Sequence, residues 1–210
     1  GQSHPEITSQ FLDQLPIEDF INSTCRITFR YMNERPHNPP DVAQLVSTTL
    51  ALMIRLFTNQ RFQEEIAKIN PQILLSAIYV PLRPNNKDHN VPLFCPLDPL
   101  AKESLSFLYI SALFQKNFVA LLAKRNYSNL FLYHLIWAAQ LYYEKEGVNY
   151  IHSIILSTIL LIVADPKAAS KLNEEFDRSL ELKECKFQPP TNGSYTYGDL
   201  LLEVLLNFCQ

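Results

Sequence analysis

Glycine is scarce in this chain, with four residues among 210 beside fourteen prolines. Phosphate loops, dinucleotide folds and glycine-rich hairpins all need backbone that glycine alone adopts freely, so they are disfavoured, while helices parted by proline-marked corners are suited. The four cysteines, Cys25, Cys95, Cys185 and Cys209, have neither zinc nor redox spacing, and reduced thiols are expected. Neither sign of charge dominates: 18 basic against 21 acidic residues leave a net charge of −3. No global field therefore draws the chain to nucleic acid or to an anionic membrane. No apolar run reaches the length of about 20 residues that a bilayer span needs. With no signal peptide in view, the Asn-x-Ser/Thr triplets at Asn22, Asn126 and Asn192 read as chance occurrences. Gly-x-Ser-x-Gly, Walker and His-Glu-x-x-His patterns are all missing.

What is present is apolar: 47% of the residues are hydrophobic and 11% aromatic, enough for one large core. The longest run lies in Val148 to Phe176, where Tyr150 to Ala164 is interrupted only by His152 and a few hydroxyls. A strand of that length is unusual, so the run reads as a helix apolar on nearly every side, with Leu160 and Leu161 inside. Asp165 is placed to cap a new helix, Pro166 suits its first position, and Ala168, Leu172 and Phe176 follow at helical spacing.

The rest of the chain reads the same way. Residues 1–16 form a loosely ordered start, and 17–210 a single helical domain with long loops at 81–97 and 177–195. Phe20, Thr24, Ile27 and Tyr31 make one helical stripe, ended by the prolines before Asp41. A long apolar helix then runs to Phe57, Thr58-Asn59 marks a corner, and a short helix carries Phe62 and Ile66. Pro71 opens another. After the 81–97 loop come a helix through Leu105 and Leu108, a turn at Gln115-Lys116-Asn117, a short helix with Phe118 and Leu122, a helix over Leu130 to Tyr143 capped by Ser128 and closed by Gly147, and a last helix begun by Thr196 or Asp199.

These helices repeat. Ile54 matches Ile110, Asn59 matches Gln115, Phe62 matches Phe118 and Ile66 matches Leu122; more loosely, Leu160, Asp165, Ala168 and Leu172 occupy the same places in a third unit. A period of about 50 residues is close to that of armadillo and HEAT arrays, whose repeats bury their faces only against neighbours. The expected fold is an all-α, armadillo/HEAT-like α-solenoid.

Chemistry is hard to find in it. His134 and His152 are the histidines expected inside the helical layers, each hydrogen-bonded to a carbonyl or hydroxyl, with no clustered carboxylate or cysteine to make a metal site. Glu64-Glu65 and Glu174-Glu175 read as solvated faces of short helices, and Trp137 and Tyr142-Tyr143 as core aromatics. No catalytic, cofactor or metal residue is assigned. The best candidate for a partner contact is the 81–97 loop, where Arg83 and Lys87 add positive charge beside the aromatic Phe94. Next come the ridges of the short helices at Phe62, Phe118 and Ala168.

Gln115-Lys116-Asn117-Phe118 with its apolar helix, Ile151-His152 before Ile154-Ile155-Leu156, Leu172-Asn173, and Gly198-Asp199-Leu200-Leu201 occur in that order. On these residues the stretch Asp98 to Cys209 resembles the central part of the high-temperature-induced dauer formation protein family, which is related to dymeclin. The resemblance implies a cytoplasmic armadillo-like protein, without known enzymatic activity, on the cytosolic face of the Golgi and trans-Golgi network, acting in sorting and secretory-vesicle formation. Family members are several times longer, and often carry an N-myristoylated glycine. Here Gly1-Gln2-Ser3-His4-Pro5 has proline where the acylation pattern wants Ser or Thr, so membrane contact is expected to be peripheral at most. The expected function is a scaffold for protein partners such as trafficking or sorting factors; the alternative is a regulatory subunit that docks on an enzyme and controls its activity or stability.

Overall fold

The computed structural model describes residues 14–34, 40–78, 100–124, 127–147, 149–176 and 193–208. Over these the protein is all-α. Ten α-helices follow one another: α1 (Ile17–Asn33), α2 (Pro40–Leu56), α3 (Gln60–Lys68), α4 (Pro71–Ile78), α5 (Ala101–Phe114), α6 (Lys116–Lys124), α7 (Tyr127–Glu146), α8 (Tyr150–Val163), α9 (Pro166–Ser170), continued by a 3₁₀ turn (Lys171–Asn173), and α10 (Tyr197–Asn207). Among the described residues the only β-pairing is a single bridge between Glu175 and Thr196.

Three of the five longer helices, α2, α5 and α8, each bend sharply into a short one, at 115° into α3, 104° into α6 and 97° into the segment Pro166–Asn173. The long helices lie against one another in chain order, α2 on α5 and α5 on α8, with α1 against α2 and α7 against α8. The central helix α5 is consequently enclosed: Leu105, Phe107, Leu108 and Ile110 are all buried although they point in different directions around it. No single helix among the described residues is long and apolar enough to cross a membrane.

Each corner is made by one polar side chain followed by one buried residue. The first free N–H groups of a helix lack carbonyl partners, and an Asn, Asp or Gln just before them supplies an oxygen. The Asn59 Oδ1 accepts from the Phe62 N–H at 3.1 Å, the Gln115 Oε1 from the Asn117 N–H at 2.9 Å, and the Asp165 Oδ1 from the Lys167 and Ala168 N–H groups at 2.9 and 3.1 Å. Phe62, Phe118 and Ala168, the residues that follow, have no exposed surface. The three units matched in the sequence thus carry matching corners. Gln115 does more. Its Nε2 donates to the carbonyls of Ala67 and Ile69 at 2.9 and 2.6 Å, so the end of α3 is tied to the start of α6 by one buried amide.

Other helix ends follow local rules. Gly147 takes φ +66° to stop α7, its N–H donating to the Tyr143 carbonyl at 2.9 Å. Thr196 and Asp199 form a reciprocal capping box that starts α10. A Cβ on Gly198 would stand 3.2 Å from the Leu172 carbonyl, so glycine there lets the start of α10 approach the 3₁₀ turn.

Two expectations need correction. The α8 helix is not apolar on every side into a core: Leu160 is 67% exposed and Leu161 half-buried, because no described helix lies over that face. Phe176 does not continue the helical spacing of Ala168 and Leu172. The helix tightens into the 3₁₀ turn and ends, and the Phe176 N–H donates to the Tyr195 carbonyl at 2.7 Å, turning the ring onto Tyr133 and Tyr197, each 5.3 Å away. In addition α7 starts at Tyr127, earlier than the cap expected at Ser128. The start at 1–13 and the residues 79–99 and 177–192 lie outside the described residues.

Denaturant unfolding should separate these environments. Phe118→Ala is expected to cost about 3–5 kcal/mol, and Gln115→Ala, which strands the Ala67 and Ile69 carbonyls, about 1–3 kcal/mol. Leu160→Ala, on an open face, should stay below about 0.5 kcal/mol.

Candidate functional site

Arg83, Lys87 and Phe94, the residues favoured for a partner contact, lie outside the described residues. On the short helices at Phe62, Phe118 and Ala168 those three residues have no exposed surface, and the outward side of the ridges is formed by residues such as Arg61, Glu64, Lys116, Asn117 and Lys167.

Titratable groups are spread out rather than gathered. Among the described residues no group of three His, Cys, Asp or Glu side chains stands close enough to hold a metal ion. Glu64 accepts from Gln60 at 2.9 Å, and Glu65 pairs with Lys68 at 2.8 Å on the open face of α3. Glu174 pairs with Lys171 and, with Glu175, lies beyond the short helix rather than on it. Lys102 reaches from α5 to Glu146 at 3.0 Å, and Glu146 accepts from the Asn149 side chain, which caps α8. Burial pushes the Cys25 thiol up to about 12, which leaves it protonated and unreactive.

His134 and His152 are both buried, as expected. His152 departs from expectation in its bonding. Its Nε2 has no hydrogen-bond partner, and its ring lies edge-on against Phe208 of the α10 end at 4.4 Å and 5.9 Å from Tyr143 of α7. Phe208 in turn touches Tyr143 at 4.8 Å. The imidazole therefore acts as one ring of an apolar cluster that fastens α10 to α7 and α8, and burial lowers its pKa from the ordinary value.

The feature that stands apart is the open surface beside this cluster. Leu160 and Tyr150 on α8 are 67% and 65% exposed, and Leu202 and Leu206 on α10 are 58% and 56% exposed, well above the other exposed apolar residues. Between Tyr150 and Leu160 the outward stripe is completed by Ser153, Ser157 and the edge of Ile154, so it carries no charge. On α10 Leu202 and Leu206 share one helical stripe with Asp199 and Glu203. The Thr196 N–H and hydroxyl hold the Asp199 carboxyl below its usual range, and Glu203 accepts from the Tyr195 hydroxyl at 2.9 Å. The opposite end of the long-helix layer is different: around Leu45 and Leu52 the outer face of α2 carries Asp41, Gln44, Thr48 and Arg55.

Sequence reasoning missed this surface. Its signal was the repeat register itself, since Leu160 stands where Ile110 stands, and Ile110 is 2% exposed within a helix enclosed on both sides. No family model, curated protein or solved structure matches the chain.

His152 has a readable pH signature. With its folded pKa lowered, the unfolded chain binds the proton first as pH falls, so the stability contributed by a neutral buried ring is full above about 6.5 and lost below it. Urea midpoints measured at pH 7.5 and 5.5 should therefore drop at the acid end, and His152→Leu should shrink that drop.

Proposed function

We propose that the chain is an armadillo/HEAT-type α-solenoid that works as a non-enzymatic scaffold for other proteins, in trafficking and sorting at the cytosolic face of the Golgi and trans-Golgi network. The observation that carries the scaffold reading is the succession of long helices α2, α5 and α8, each leaving through a corner of similar angle built by Asn59, Gln115 or Asp165. In such a succession each unit contacts its neighbours and leaves edges and ends as binding surface. Interior polar groups agree with this: the buried hydroxyls of Thr28, Ser111 and Thr158 are each bonded to a carbonyl of their own helix, and are occupied in structure rather than poised for chemistry. The Golgi assignment rests on the resemblance of Asp98 to Cys209 to the dauer-formation family.

The test is capture from cytosol with the whole chain as bait. Recovery of coat or sorting factors supports the trafficking role, whereas one enzyme in stoichiometric amount would replace it with the regulatory-subunit reading. For a recovered partner, Arg83→Ser with Lys87→Ser should weaken binding by about tenfold at low salt and less at high salt, with thermal stability unchanged, because surface charges steer association and add little to folding. Equal affinity at both salt concentrations would remove the 81–97 loop from the binding surface.

A further inference from the structure

Charge is sorted unevenly among the helices. Helices α1, α2, α3, α5 and α7 mix acids with bases and α10 is acidic, whereas the charged side chains of α6 and α9 are Lys116, Lys124 and Lys167, with no acid among them. These two short helices lie against each other. All three lysines are exposed, and none has a hydrogen-bond or ion-pair partner among the described residues. Lys68, Lys102 and Lys171, by contrast, are each paired with a glutamate. Asp165, which precedes α9, spends its Oδ1 on the Lys167 and Ala168 N–H groups. On a chain of net charge −3 the outer face of α6 and α9 is thus a local reversal of sign.

We infer that this face binds an acidic peptide segment, a run of Asp and Glu on a partner protein. Nine residues at about 1.5 Å each make α6 about 13 Å long, and packed helix axes stand about 8–10 Å apart. Neighbouring charges are therefore about 10 Å from one another, comparable with the screening length of about 8 Å at physiological salt, so a ligand that spans two of them feels both. An extended chain rises about 3.3 Å per residue, which lets acids about three positions apart reach successive lysines. Lysine offers a point charge without the planar fork that fixes one carboxylate, so the match is to a run of acids rather than to a single one. Other anionic partners fit less well. The face has no aromatic on which a nucleic-acid base could stack, since Phe118 is buried, and neither helix contributes an exposed large apolar side chain to enter a bilayer. The inference rests on the scaffold reading and supplies a class of partner for it.

Fluorescence anisotropy of a labelled oligo-glutamate peptide, titrated with the whole 210-residue chain up to about 100 µM at about 0.15 M salt, tests it. Saturable binding is expected, weakening as salt rises and absent for an oligo-glutamine peptide of the same length. Lys116→Glu together with Lys167→Glu should raise the dissociation constant at least about tenfold, with circular dichroism and the melting curve unchanged because both residues are exposed. Arg26→Glu together with Lys145→Glu, at exposed positions on α1 and α7, alters net charge equally and should change affinity less than about twofold. No binding at about 100 µM, or equal losses from the two pairs, overturns the proposal. Tighter binding to vesicles of phosphatidylcholine and phosphatidylserine than to the peptide, lost in the Lys116/Lys167 variant, overturns it in favour of a membrane surface. Capture from cytosol separates this inference from the reading beneath it. Sorting factors held equally by the parent chain and the Lys116/Lys167 variant keep the scaffold and strike this face, whereas peptide binding without any captured sorting factor keeps the face and strikes the trafficking role.

Discussion

One buried amide joins the first two units of this protein. Gln115 donates twice to the last carbonyls of α3 and accepts once from the opening N–H groups of α6, so the end of one short helix and the beginning of the next share a single side chain. Every other feature of the layer depends on such fixed corners. A bend of about 100° is what lets a long helix stack on its predecessor while its short continuation turns Phe62, Phe118 or Ala168 into the interior. Loss of the amide would leave buried carbonyls without donors, a larger penalty than the loss of the hydrogen bonds themselves.

The same arrangement accounts for where apolar surface is hidden and where it is not. The central α5 is covered on most sides, its Leu105, Phe107, Leu108 and Ile110 buried while Lys102 reaches the surface; α2 and α8, each packed against two other long helices, keep one face open. The open face of α2 mixes Leu45 and Leu52 with Asp41, Gln44, Thr48 and Arg55, whereas that of α8 sets Tyr150 and Leu160 beside Ser153 and Ser157. The aromatic cluster of His152, Tyr143 and Phe208 fastens the end of α10 to α7 and to the start of α8.

Much of the fold could be read from residue order because corners and caps are local. Asn59, Gln115 and Asp165 announced themselves by type and by the Phe or Ala three residues beyond, and Thr196 and Asp199 stood as alternative starts of the last helix until the structure joined them in one capping box. What escaped was what depends on neighbours distant in the chain. The α8 run offers no charged residue to mark its outward face, only Ser153 and Ser157 among hydroxyls that also occur inside, so its composition does not tell that Leu160 lacks the covering that Ile110 enjoys. Phe176 kept helical spacing yet left the helix, because Thr196, twenty positions on, bridges its neighbour Glu175. His152 was rightly placed inside, but its Nε2 found rings instead of an acceptor. Of the site, the stripe on α10 was visible only as apolar content near the end of the sequence, and Arg83, Lys87 and Phe94 belong to a stretch outside the described residues.

The hydroxyls inside the long helices have a mechanical consequence. Thr28 and Ser106 donate to Thr24 and Lys102, Ser111 and Thr158 to Phe107 and Ile154, all within their own helices. None of these four bonds crosses from one long helix to the next; between α2 and α5 the Ser47 hydroxyl donates to the Glu103 carboxylate at 3.1 Å, and side-chain packing makes up the rest of that interface. A force applied to the layer would meet a steep response at the knees, where short directional hydrogen bonds are made, and a shallower one where rods meet by packing alone.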